Sequence, residues 1–234
     1  MESNRESGWI AAPFWRGVAV AAYVGTHLVV GGRIKRIDEG GRAFLGSKEP
    51  IILAPNHRGL GDGGIVAMSL PIARRRRLRI IADHHSVSLW SGAPDLRTRL
   101  WHRLLLTLTL KSYRAIVVRG DLRGPAAVAA MVDSLRTGDT ILIFPEGDFG
   151  TADQLKPLRS GVAHLAIETG AAIVPIRIDG SAKAMPILRR LRTRPQVMAR
   201  FRAPIVARPG EAEASLLARL AVALSPDPVE IPGE

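Results

Sequence analysis

Two short apolar runs, each passing abruptly into a polar, glycine-bearing segment, constrain this chain most. The first reads Ile51-Ile52-Leu53-Ala54-Pro55-Asn56-His57, the second Ile141-Leu142-Ile143-Phe144-Pro145-Glu146-Gly147. Apolar runs this short, bounded by Pro and Gly, read as strands. Others of the kind are Arg42–Leu45, Arg79–Ala82, Ala115–Val118, Ala172–Ile178 (interrupted by Pro175) and the alternating Val197–Phe201. Between them, helical patterns fit Gly63–Leu70, Leu96–Leu110, Pro125–Arg136, Ser160–Thr169 and Glu211–Leu224. Strands alternating with helices predict an α/β fold, a mostly parallel central sheet flanked by helices. Ligands collect outside the carboxyl ends of strands in such sheets, so the two segments mark where a site is expected.

The length, 234 residues, suits one large domain with a full core. Cysteine is absent, which excludes disulfides, a cysteine nucleophile and thiolate metal sites. The formal net charge is +12, and only five of the 33 basic residues are lysine. A surface this positive attracts anionic lipid or nucleic acid. Aromatics make up 5% of the chain, too few for base stacking, and no nucleic-acid motif stands out.

An apolar stretch from Trp9 to Val30 is interrupted by Arg16. Its clean part, Gly17 to Gly32, is shorter than the ~20 residues a spanning helix needs, and basic residues flank both ends. This predicts an N-terminal apolar, membrane-associated helix, monotopic or shallow, with a core helix as the alternative. Residues 1–36 are thus expected to form an anchoring segment and 37–234 the main domain. Leu96 to Lys111 and Ile187 to Arg192 mix leucine or isoleucine with arginine as interfacial helices do.

The chemistry-bearing stretch is Asn56-His57-Arg58-Gly59-Leu60-Gly61-Asp62. Imidazole is the natural general base near neutrality, and a carboxylate accepting one ring N–H fixes its tautomer and orientation. Asp62 lies across a glycine-rich turn that lets it fold back onto His57. Alone, such a pair fits a structural histidine better than a catalytic one. Phe144-Pro145-Glu146-Gly147 adds a carboxylate at a second strand end. The adjacent pair His84-His85 is weak as a metal site, and no metal constellation or cofactor is expected.

With both segments in this order, the sequence resembles the glycerolipid acyltransferase family, best known from the lysophosphatidic acid acyltransferases. Asn56, His57 and Asp62 match the family's first block, and Ile116-Val117-Val118-Arg119 the second. Phe144 to Gly147 match the third, and Val174-Pro175-Ile176 the fourth. Lys156 and Gly161 fit residues usual on the way into the intervening helix. The resemblance spans roughly Arg42 to Ile205. It implies an enzyme that moves a fatty acyl chain from acyl-CoA or acyl carrier protein to the hydroxyl of lysophosphatidate or a related lyso-lipid, in membrane lipid synthesis. His57 and Asp62 would be catalytic; Asn56, Arg119, Glu146, Gly147 and Lys156 would serve substrate binding. Oxyanion donors would be backbone N–H groups around Gly147 or between Gly59 and Gly61. The expected partners are the lyso-lipid, the thioester donor and an anionic membrane surface, not nucleic acid. The expected place is the cytoplasmic face of the cell membrane, peripheral or monotopic.

One departure matters. Where the family continues Thr-Arg-Ser, this chain has Asp148-Phe149-Gly150. A negative charge there favours a cationic or neutral acceptor head, such as a lyso-aminolipid or a glycolipid, over a phosphate. A non-catalytic lipid-binding protein is the alternative outside enzymes.

Overall fold

The computed structural model describes residues 34–47, 49–59, 61–83, 100, 113–118, 125–148, 154–181 and 196–226. In chain order the elements are β1 (Ile34–Glu39), α1 (Arg42–Gly46), β2 (Ile51–Pro55), α2 (Asp62–Ser69), α3 (Ile72–Arg75), β3 (Leu78–Asp83), β4 (Ile116–Val118), α4 (Pro125–Arg136), β5 (Thr140–Leu142), α5 (Gly161–Thr169), β6 (Ala172–Asp179), β7 (Val197–Arg202) and α6 (Glu213–Leu224). The apolar segment 1–33, most of Leu96–Lys111, His84, His85, Arg119 and Ile187–Arg192 lie outside the described residues. None of the described helices is long and apolar enough to cross a membrane.

The strands form one seven-stranded sheet in the order β1-β7-β6-β2-β5-β3-β4. β2 pairs in parallel with both β5 and β6, and β3 in parallel with β5 and β4. β7 runs antiparallel to β6, and β1 runs parallel to β7. The α/β class with a mostly parallel sheet flanked by helices is therefore as the sequence predicts.

The period of two along β2 divides the core. Ile52 and Ala54 join one apolar cluster with Met131, Leu135, Leu165 and Leu216 from α4, α5 and α6. Ile51 and Leu53 face the other with Leu45, Ile65 and Val66 from α1 and α2. On α6 the stripe Leu216, Leu220, Leu224 is fully buried, and each such leucine contributes about 2 kcal/mol of transfer free energy. Pro125 opens α4, where a missing N–H costs nothing. Gly170, at φ +68°, closes α5 in the left-handed conformation.

Two elements differ from expectation. Arg42–Gly46 is a helical turn, not a strand. The open side of β7 is taken by Ile34–Glu39, which leaves no partner for a strand over Arg42–Leu45. The sheet therefore takes in Ile34 to Arg36, residues grouped by sequence with the N-terminal segment. Pro175 is tolerated inside β6 because the strand changes partner there. Ile173 bridges to Ile205, whereas pairing with β7 begins at Ile176.

Candidate active site

Register places the two marked segments side by side. Leu53 of β2 aligns with Leu142 of β5 and Val174 of β6, and the Ile143 N–H donates to the Leu53 carbonyl at 3.0 Å. His57 and Glu146 thus leave the sheet at the same carboxyl edge. Asn56 extends β2 by one position: its backbone N–H donates to the Ile176 carbonyl at 3.2 Å. Its side chain accepts from the Ile178 N–H at 2.6 Å and donates to the Ile178 carbonyl at 3.0 Å. The Asn56 amide thereby pairs with β6 as a strand backbone would, and aims the next residue.

The next residue is His57, whose Nδ1 lies 3.0 Å from Asp62 Oδ2. Asp62 opens α2 and is fully buried. Oδ2 also accepts the N–H groups of Arg58 at 2.5 Å and Gly59 at 2.8 Å. Three donors converging on one oxygen fix the carboxylate rotamer, and through it the ring. Asp62 Oδ1 is buried without a hydrogen-bond partner, so the ring and turn are held by a single oxygen. With the carboxylate accepting the Nδ1 proton, Nε2 is the basic nitrogen. Phe144 stacks on the imidazole with centroids 3.8 Å apart and planes at 18°. The His57 side chain keeps 15% of its surface exposed, a narrow approach suited to one reacting group.

Glu146, 3% exposed, ties the two strand ends together. Its Oε1 accepts the His57 N–H at 2.7 Å and its Oε2 the Lys156 N–H at 2.8 Å. Arg58 adds a further link, its Nη1 donating to the Gln154 carbonyl at 2.6 Å. The segment Gln154–Ser160 is thus latched to the loop that carries His57. The Lys156 side chain turns outward, with Nζ 3.1 Å from Asp148 Oδ2.

Gly147 sits at φ +69°, and its N–H donates to the Phe144 carbonyl at 3.0 Å. A Cβ at Gly147 would come within 2.6 Å of Arg159 Cζ, so the guanidinium of Arg159 lies directly against this glycine. The turn amides offered by sequence as oxyanion donors are largely engaged. Gly59 N–H serves Asp62, Asp62 N–H serves the Gly59 carbonyl, and Gly147 N–H closes its own turn.

Of the residues predicted from sequence, the structure brings together Asn56, His57, Asp62, Glu146, Gly147 and Lys156. Arg119 lies outside the described residues. Sequence reasoning passed over Phe144 as a ring partner, and Arg58 and Arg159 altogether. Their signals are faint: an aromatic closing an apolar run, and arginines beside His57 and shortly before Gly161.

A histidine held by a buried carboxylate at the carboxyl edge of a parallel sheet is an arrangement suited to acid–base chemistry in an α/β enzyme. The family model described as Acyltransferase matches residues 36–179, more than half of the chain, and the chain belongs to that family. Among solved structures, the fold is similar to that of the 1-acyl-sn-glycerophosphate (LPA) acyltransferase PlsC from Thermotoga maritima. The TM-score is 0.56 and the identity 14%, over 91% of this chain and 76% of that one. The protein is an acyltransferase.

Proposed function

We propose that this acyltransferase moves a fatty acyl chain from a thioester carrier, acyl-CoA or acyl carrier protein, to the hydroxyl of a lyso-lipid in membrane lipid synthesis. The observation that carries the reading is the His57–Asp62 pair, 3.0 Å apart, at the carboxyl ends of adjacent parallel strands. His57 Nε2 takes the proton of the acceptor hydroxyl as its oxygen attacks the thioester carbonyl. The tetrahedral intermediate collapses with loss of the thiolate, which leaves with the proton held on the imidazolium. Asp62 stabilises that imidazolium. The chain has no cysteine, and no serine stands in the His57–Asp62 turn, so transfer is direct rather than through an acyl-enzyme.

The PlsC of Thermotoga maritima is an LPA acyltransferase, which supports lysophosphatidate or a related lyso-lipid as acceptor. A cationic or neutral acceptor head is the second reading, because Asp148-Phe149-Gly150 lacks the arginine that the family carries there. Lys156 Nζ, 3.1 Å from Asp148 Oδ2, offsets the charge of Asp148 but does not replace that arginine.

The test follows free thiol with a colorimetric reagent while purified protein in detergent meets a long-chain acyl-CoA and a mixture of lyso-lipids. The protein itself contributes no thiol. Acceptor-dependent release is expected, abolished in His57→Ala and reduced by about 10²–10⁴-fold in Asp62→Asn. Near-normal release in His57→Ala would discard the mechanism. A blank with acyl-CoA and with acyl carrier protein donors would move the reading to lipid binding.

A further inference from the structure

Arg159 is a guanidinium at the site with no carboxylate partner among the described residues. Its backbone N–H donates to the Pro145 carbonyl at 2.8 Å. The following residue, Glu146, accepts the His57 N–H at 2.7 Å. Two hydrogen bonds and one peptide unit therefore register Arg159 against the general base. Its side chain is laid over Gly147, a position open only because that residue lacks a Cβ. The residue is exposed, and its guanidinium forms no hydrogen bond or ion pair with any described carboxylate.

Among the described residues, the nearby carboxylates are engaged elsewhere. Asp148, two residues from Glu146, is paired with Lys156 Nζ at 3.1 Å. Glu146 is buried and spends both oxygens on backbone amides, and Asp62 is buried behind the imidazole. Arg58, on the loop that carries His57, is 8% exposed and donates to the Gln154 carbonyl. A planar guanidinium is suited to bidentate contact with phosphate oxygens.

We infer that Arg159 is the specificity-determining residue that binds a phosphate group of a substrate while His57 acts on the hydroxyl. This rests on the acyl-transfer reading and names what the site takes. The phosphate could belong to the acceptor headgroup or to the donor, whose coenzyme A or phosphopantetheine moiety also carries one; the guanidinium chemistry is the same.

The experiment measures steady-state thiol release for wild type, Arg159→Met and Arg159→Lys with two substrate pairs. Methionine keeps an unbranched side chain over Gly147 without the charge, and melting temperatures check that both variants fold. The acceptor pair is lysophosphatidate and monoacylglycerol with acyl-CoA fixed. The donor pair is acyl-CoA and phosphate-free S-acyl-pantetheine with the acceptor fixed. Loss of a charge-assisted phosphate contact is expected to raise KM about tenfold or more in Arg159→Met, for the phosphate-bearing member of one pair alone, with kcat little changed. Arg159→Lys should recover part of the loss. The pair that responds identifies the source. KM values that stay put, or rise equally with phosphate-free substrates, would overturn the assignment. Calorimetric binding of lysophosphatidate and of free coenzyme A to the same variants reads the site without turnover. A wild-type protein that binds either and turns over neither would sink acyl transfer alone. Binding equal in wild type and Arg159→Met would sink the phosphate site alone.

Discussion

Among single residues, Glu146 has the most to do for its size. The resemblance assigns it to substrate binding, yet both its oxygens accept backbone amides from segments far apart in sequence, at His57 and Lys156. Glu146→Gln keeps the shape but turns one acceptor into an N–H group, which leaves one buried amide unmet. That is expected to cost about 1–3 kcal/mol of stability. Turnover should fall with the KM values nearly unchanged, because the side chain positions His57 and does not touch the lipid. Melting curves and steady-state kinetics check both parts; a raised KM at unaltered stability would instead place Glu146 on the substrate. The contrast explains what sequence could reveal here. His57 and Asp62 are five residues apart across a glycine turn, so their pairing is local and legible. The partners of Glu146 and the face of His57 covered by Phe144 depend on the pairing of β2 with β5, which no local pattern encodes.

The same division holds for elements. Strands β2 to β7 and four of the five helical patterns were legible, because burial on one or both faces writes a period into the sequence; β1 was not, and the fifth helical pattern, Leu96–Leu110, lies almost wholly outside the described residues. The turn α1 was not legible, because its form is imposed from a distance. Arg74 of α3, 4% exposed, donates to the carbonyls of Phe44, Leu45, Ser47 and Glu49 and to Thr140 Oγ1. A buried guanidinium thus replaces a strand partner for the chain between α1 and β2. Burial lowers its pKa below the usual arginine value; Arg77 adds to that and Glu49 opposes it. Arg74→Met would strand several buried carbonyls, and a loss of about 3 kcal/mol or more is expected in chemical denaturation. Arg74 lies by the amino ends of β2 and β5, opposite His57. Turnover per folded molecule should therefore survive in Arg74→Met, and its loss alongside intact stability would contradict this account.

At the scale of the whole molecule the open question is how a catalytic edge built from polar loops meets a lipid. The net charge of +12 supplies an attraction that is long-ranged and salt-sensitive, about 1 kcal/mol per basic residue close to an anionic surface. The apolar stretch Gly17–Gly32, with Arg16 before it and Arg33 after it, would supply a second attraction that is short-ranged and indifferent to salt. Their separate responses make the two contributions measurable by vesicle flotation. At low ionic strength the full chain is expected to float with anionic vesicles. Where the Debye length shrinks to about 3 Å, near 1 M salt, the charge contribution should vanish and any residual flotation reports insertion. Removing residues 1–33 should then abolish the salt-resistant fraction and leave the salt-sensitive one. β1 starts at Ile34, so the deletion stops where the sheet begins. A full chain that ignores anionic vesicles at low salt would refute membrane association through charge. A salt-resistant fraction that persists after the deletion would move the insertion site from the N-terminal segment to another part of the chain, with Leu96–Lys111 the first segment to alter.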